Sequence, residues 1–359
     1  MQKKLIALAV AGLVSGAAFA QSNVTVYGVA DMYYGYVKAG DLKVNPAFNS
    51  GGLAGSRLGF KGAESLGNGL TAVFQYELGY NVDGNGSNFV GAADGKINGA
   101  TSNGLTNTRQ AYVGLAGGFG TVVAGRLQSP GYVYTGMYDA LASSQISPQA
   151  ILAGNAKLIG GAVNSTIAPN NNARVNNSIA YLSPNFSGFS GVLAYAAGEQ
   201  AAGPKEGVWA LGLNYATGPF SIGFVHHKIS NFTGVEAADA KENFIGASYD
   251  LKVVKLLGSW QNAKYDGNDT TNKLWQIGAA IPAGPGSVNV AYGKTSMDAD
   301  NSNSKSFTLA YLYPLSARTT AYTGYTHTNN DDLAAVGVLG AGVAGEATKG
   351  FVVGLNHKF

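Results

Sequence analysis

Cysteine is absent from all 359 residues, which removes disulfides, thiol catalysis and cysteine-based metal sites together. Charge is scarce too. Only 12% of residues are charged, where a soluble domain usually carries about a quarter. The 23 basic and 20 acidic residues almost cancel and form no block, and without a basic stripe a nucleic-acid partner is excluded. Histidine occurs only at His226, His227, His327 and His357, with no His-Glu-x-x-His spacing. There is also no Gly-x-Ser-x-Gly elbow. The sequence therefore offers no catalytic residues, no cofactor site and no metal site.

Long apolar runs are missing apart from Leu5 to Val14, which follows Met1-Gln-Lys-Lys4 and precedes Ala18-Phe-Ala20. That is the three-part pattern of a signal peptide, with cleavage expected after Ala20. The run is too short to span a bilayer as a helix. Cleavage takes Lys3 and Lys4 with it and leaves a mature net charge of about +1. The mature chain, residues 21–359, is expected to be exported.

What is abundant is glycine, with 52 residues, and tyrosine, with 20; mean hydropathy is +0.04. A barrel facing lipid accounts for this mixture. Alternating apolar-out and polar-in residues average to neutral hydropathy, few charges are needed outside, and aromatic residues collect at the two interfaces.

Alternation carries the same message. In Val24-Thr-Val-Tyr-Gly-Val-Ala-Asp31, Tyr27, Val29 and Asp31 share one face, which points Asp31 into the bore. After a polar, Gly-rich loop expected from about Ala39 to Gly55, Arg57, Gly59 and Lys61 oppose Leu58 and Phe60. In the next segment Val73, Gln75 and Glu77 oppose Phe74, Tyr76 and Leu78. Connections then alternate between short and long. The short ones are at Gly117, Pro184, Thr217, Asp250, Pro282 and Pro314, and the long ones are around Val82, Ser129, Glu199, Asn231, Asp266, Asp298 and Asn329. Tight turns on one side and free loops on the other are what an up-and-down barrel across one membrane requires. The count comes to about 16 strands of about ten residues. Strand phase is ambiguous between Asn243 and Gln261.

The longest interruption runs from Ser129 to Ala173. It is about 45 residues long and holds Pro130, Pro148, Pro169 and Asn170-Asn-Asn172. We expect it to be an irregular loop that enters the barrel and narrows the bore. The chain ends on Phe351, Val353, Leu355, His357 and Phe359 in phase, an apolar face suited to a lipid interface.

Five segments in this order resemble the Gram-negative general porins of β-proteobacteria. They are Val26-Tyr-Gly-Val-Ala-Asp31, Ser56-Arg-Leu-Gly-Phe-Lys-Gly62, Arg109-Gln-Ala-Tyr-Val-Gly-Leu115, Gly118-Phe-Gly-Thr-Val-Val-Ala-Gly-Arg126 and His357-Lys-Phe359. The resemblance covers residues 21–359. It implies a homotrimer of 16-stranded, all-β, water-filled barrels in the outer membrane, surrounded by its lipid and lipopolysaccharide, that pass small hydrophilic solutes and ions. It also implies that the third external loop folds inward and that Phe359 is an assembly signal. By the same resemblance, wall cations at Arg57, Lys61, Arg109, Arg126 and Arg174 face acids across the bore. The insert carries only Asp139, to which Glu77 and Asp31 add from the wall, so weak to moderate anion preference is expected.

Other motifs fail on their own terms. Gly340-Ala-Gly-Val-Ala-Gly345 matches a dinucleotide fingerprint but lacks a βαβ setting, and Gly293-Lys-Thr295 lacks the first glycine of a phosphate loop. Asp83–Ser87 and Asp298–Asn303 are dense in oxygen yet complete no calcium loop. Two alternatives stay open: a surface adhesin or structural outer-membrane protein with a plugged bore, and a hydrolase whose serine and histidine come from different strands.

Overall fold

The computed structural model describes residues 23–83, 105–155, 173–199, 205, 207–231, 239–267 and 269–359. The expected leader at residues 1–20, residues 156–172 of the insert and residues 84–87 of one oxygen-rich loop lie outside these. Seventeen strands form one closed antiparallel sheet: β1 (Asn23–Ala39), β2 (Leu42–Ser50), β3 (Arg57–Gly67), β4 (Leu70–Tyr80), β5 (Leu105–Gly117), β6 (Gly120–Gln128), β7 (Arg174–Leu182), β8 (Phe189–Ala197), β9 (Gly207–Thr217), β10 (Phe220–Ser230), β11 (Ala240–Asp250), β12 (Lys255–Tyr265), β13 (Thr270–Ala283), β14 (Gly286–Ser296), β15 (Ser304–Pro314), β16 (Thr319–Asn330) and β17 (Thr348–Lys358). Two helices, α1 (Pro130–Met137) and α2 (Pro148–Asn155), lie between β6 and β7.

The seventeen strands make sixteen staves. β1 pairs with β2 along Met32 to Ala39 and with β3 along Asn23 to Val29, so β2 and β3 are the two halves of one descending stave, broken at residues 51–56. This corrects the loop expected from Ala39 to Gly55. Gly40, at φ 56°, makes a tight reversal that sets Lys38 opposite Lys43, and only residues 51–56 leave the sheet. The phase ambiguity between Asn243 and Gln261 ends at a reversal in which the Leu251 N–H bonds the Val254 carbonyl and Lys252 takes φ 72°.

Alternation decides which face meets what. On β15, Lys305, Phe307 and Leu309 are exposed while Ser306, Thr308 and Ala310 are buried. On β1, Val24, Val26, Tyr34 and Tyr36 are exposed and Val29, Asp31, Tyr33 and Val37 are buried. A strongly apolar outside around an inside that mixes polar and apolar residues departs from the soluble pattern and fits a wall facing lipid.

The sheet closes on itself through its first and last strands. β1 pairs with β17 from Val29↔Lys358 to Ala39↔Thr348, and the Gly28 and Phe359 N–H groups bond each other's carbonyls at 3.0 and 3.1 Å. In lipid each unpaired backbone group costs several kcal/mol, so this seam is essential. The Phe359 ring lies over Gly28, where an added Cβ would also fall 2.6 Å from the Arg57 carbonyl oxygen. Gly28→Val is therefore expected to prevent stable closure, because the backbone obstacle cannot turn aside. The fraction running as folded species on unheated SDS gels should drop well below that of the wild type.

The insert is more regular than its sequence suggests. Ser129 caps α1, its hydroxyl accepting the Tyr132 N–H, with Pro130 in the first turn where no N–H is needed. The Ser147 hydroxyl accepts the Gln149 N–H at the start of α2. α1 packs on β9, β10 and β11, and α2 on β13, β14 and β15. These contacts fall on the buried rows of the wall, through apolar groups such as Val225 and Phe244 as well as polar ones. The Thr308 and Thr326 hydroxyls donate to the Ile146 carbonyl, Gln276 Nε2 donates to the Tyr138 carbonyl, and Gln149 Nε2 to Gln261 Oε1. The Tyr138 ring lies where side chains at Gly223 and Gly246 would stand. An apolar cluster of Leu141, Ile146, Ile151 and Leu152 with Tyr33, Leu274 and Val338 fastens the same segment.

Candidate functional site: an arginine cluster on the inner wall

Glu77 on β4 is the centre of a charged cluster. Its Oε1 takes the Arg109 Nε at 2.7 Å, and its Oε2 takes the Tyr27 hydroxyl at 2.9 Å with Arg57 Nε 3.7 Å away. A bulge produces the first contact. Register passes from Glu77↔Gln110 to Leu78↔Thr108, leaving Arg109 as the extra residue of β5, and such a bulge re-aims a side chain. Gly55, in the break of the second stave, leaves room for the Arg109 guanidinium, whose Nη1 lies 3.2 Å from where a Cβ would stand.

Arg174, at the start of β7, joins from the other side. Its guanidinium lies 4.6 Å from the Tyr132 ring centroid, and the Tyr132 phenol interacts electrostatically with both Arg174 and Arg109. Arg174 Nε and Nη2 are buried and have no acceptor among the described residues. Lys61 sits two pleat steps along from Arg57, 5.3 Å from the Tyr27 ring, and a polar ladder of Tyr27, Gln75 and Tyr112 continues the wall. Three guanidiniums against one carboxylate leave the cluster at +2, and Lys61 adds one more positive charge.

Burial pushes the Tyr132 phenol up, but the guanidiniums of Arg174, Arg109 and Arg57 pull it down further, to a net value below the ordinary one. The stability gained from a tyrosinate among arginines is thus present above its unfolded value of about 10 and is lost as pH falls through the lower folded value. Raising pH is therefore expected to add negative charge at Tyr132 before ordinary tyrosines ionise, and so to reduce anion preference. In Tyr132→Phe that early component should vanish from the zero-current potential measured against pH.

Three expected site residues stand elsewhere. Arg126 is opposite Ala111, in the row of the exposed Val113 and not in that of Tyr112; it donates to the Thr108 carbonyl and to Asn176. Parity turns it away from Glu77. Asp139 does not face the wall arginines. It is buried in its own loop, accepting the Leu141 and Ser143 N–H groups and the Ser147 hydroxyl, and desolvation raises its pKa against the effect of those bonds. Asp31 points inward as expected, but four donors occupy its carboxylate: the Leu53 and Ala54 N–H groups, the Tyr322 hydroxyl and Asn356 Nδ2. It fastens the break at residues 51–56 to the seam.

The Gly340–Gly345 motif lies in the loop between β16 and β17, with Val338 bridging Ala341. Asp298–Asn303 forms a turn in which Asn303 Oδ1 accepts the Met297 N–H. Among the described residues no group of acids and histidines is arranged to hold a metal ion.

The model of the Gram-negative porin family matches residues 7–333. Outer membrane porin protein 32 of Delftia acidovorans is 34% identical over the whole of both chains. The solved anion-selective porin from Comamonas acidovorans superposes with a TM-score of 0.77 at 30% identity, covering 94% of this chain and all of that one. OmpT of Vibrio cholerae, in its trimer form, shares the fold at a TM-score of 0.63 and 13% identity over 94% of this chain and 99% of its own. With the wall, the seam and these likenesses in agreement, the chain belongs to the Gram-negative porin family and is an outer-membrane channel protein.

Proposed function

We propose that this porin is a passive diffusion pore with a weak to moderate preference for anions, and that residues 129–173 form its constriction. The observation that carries the reading is the cluster of Arg57, Arg109 and Arg174 around the single carboxylate of Glu77. Ions passing within a screening length of about 8 to 10 Å feel this local excess, although the mature chain as a whole is almost neutral. Arg174 supports the same reading with its two N–H donors that lack a protein acceptor among the described residues. The contacts of α1 and α2 with the buried rows of the wall favour a loop that occupies part of the lumen.

The working assembly is a homotrimer, as in the trimeric neighbour, set among outer-membrane lipid and lipopolysaccharide and passing small hydrophilic solutes and ions. Phe359 acts as the assembly signal, so a chain ending at Lys358 should accumulate in the periplasm. No enzymatic role is proposed. Planar-bilayer recording under a salt gradient tests the pore reading. A zero-current potential of anionic sign is expected. A cation-preferring wild type overturns the selectivity, and a silent protein favours the plugged adhesin instead.

A further inference from the structure

The outward rows carry a second pattern of charge that the pore does not use. At the end of the barrel bearing the long loops, Lys273 on β13, Lys294 on β14 and Lys305 on β15 are all exposed and share the parity of the exposed Trp275 and Phe307. Each lysine lies two residues from an outward aromatic: Lys273 from Trp275, Lys294 from Tyr292 and Lys305 from Phe307. The Trp275 and Tyr292 rings are 5.6 Å apart. Such a row of rings marks the lipid-water interface, which places the lysines one pleat step beyond it, at the depth of lipid headgroups.

Lys294 is directly opposite Lys305. Like charges so placed repel and destabilise the pairing unless an anion lies between them. The row continues across the seam, with Lys349 opposite Lys38 and Lys38 opposite Lys43. Another sector of the same belt shows what compensation looks like. On β10, β11 and β12, Lys228, Lys241 and Lys264 pair with Asp239, Asp266 and Asp269 at 3.0, 2.8 and 2.8 Å. The residues beneath those lysines are the polar, hydrogen-bonded His226, Asn243 and Asn262 in place of Trp, Tyr or Phe. Among the described residues no carboxylate, including Asp298, Asp300 and Asp331 in the neighbouring loops, forms an ion pair with Lys273, Lys294 or Lys305.

We infer that the face formed by β13, β14 and β15 is a docking surface for phosphate-bearing lipid headgroups of the outer leaflet, with the lysines holding phosphate and the rings lying against acyl chains. Charge complementarity selects this occupant: three uncompensated cations stand over an aromatic row, and neighbouring basic side chains recruit anionic headgroups additively. The inference rests on the outer-membrane placement and deepens the lipid contact proposed above.

The test titrates the purified folded protein, in zwitterionic detergent, with bisphosphorylated lipid A and separately with the same lipid stripped of its phosphates. Bound lipid is counted by native mass spectrometry. Wild type should bind the phosphorylated lipid at least about tenfold more tightly than the stripped one, and Lys273→Gln/Lys294→Gln/Lys305→Gln should lose most of that difference. The control Lys228→Gln/Lys241→Gln/Lys264→Gln should keep it. Equal binding of both lipids, equal loss in the two triple variants, or competition by inorganic phosphate as effective as that by lipid would each overturn the proposal. The zero-current potential of the first variant should match wild type, because these lysines stand outside the bore; a failure of the lipid reading is therefore visible separately from a failure of the pore reading.

Discussion

Replacing Arg57 and Arg109 together by glutamine is expected to lower the anion-to-cation permeability ratio about fivefold. A unit charge about 8 Å from a passing ion contributes about 0.5 kcal/mol in a water-like medium, roughly halved by physiological salt. Two such charges change the energy by about 0.5 kcal/mol, with opposite signs for anion and cation, which gives the fivefold figure. A lower dielectric in the bore makes the effect larger, and raising salt makes it smaller. Glu77→Gln should move the ratio the other way, since the same carboxylate holds Arg109 and sits 3.7 Å from Arg57. Asp139→Asn should leave it within error, because Asp139 is spent inside its own loop. The zero-current potential under a salt gradient reads all three variants. An unchanged ratio in the double arginine variant removes the cluster as the source of selectivity.

The contrast between Glu77 and Asp139 shows what the sequence could and could not convey. Strand parity is strictly local, so Asp31, Arg57, Lys61 and Glu77 could be assigned to the inner face from alternation alone, and their placement in the structure agrees. Arg109 and Arg126 both lie beside bulges, where one extra residue changes what parity means, and alternation cannot say which of the two ends inside. Tyr132 was missed for a different reason. It is carried by a helix in a stretch that reads as irregular loop, and its position between Arg109 and Arg174 is set by tertiary packing of the insert. The broken stave was hidden because Gly40 and the Gly51–Gly55 stretch both look like loop, although only the second leaves the sheet. Barrel closure and strand number were legible because every strand repeats the same period and the two lengths of connection alternate.

The second large effect is expected at Asp31, for structural and not electrostatic reasons. Its carboxylate accepts from Leu53 N–H at 3.1 Å, Ala54 N–H at 3.0 Å, the Tyr322 hydroxyl at 2.7 Å and Asn356 Nδ2 at 2.7 Å. Thus one side chain ties the break at residues 51–56 to β16 and β17 across the seam. That break in turn holds the insert through the Gln145 N–H on the Gly52 carbonyl, and β1 adds the Tyr33 hydroxyl on Gln145 Oε1. Asp31→Ala strands four donors at a buried site, and at about 1 to 3 kcal/mol for each donor that water fails to reach, the loss is roughly 3 to 5 kcal/mol. Freed from its fastener, the 51–56 segment loosens together with the turn at Gln145, so single-channel conductance should rise and become noisier while the unfolding temperature falls by several degrees. Asp31→Asn keeps one accepting oxygen and should fall between the two. Gly52→Ala attacks the same contact from the other side, because its Cβ would run into the Tyr322 hydroxyl and come within 2.9 Å of the Tyr33 ring. Thermal melting and bilayer recording on the same preparations decide the matter: if Asp31→Ala melts and conducts like wild type, the clamp does not hold the insert.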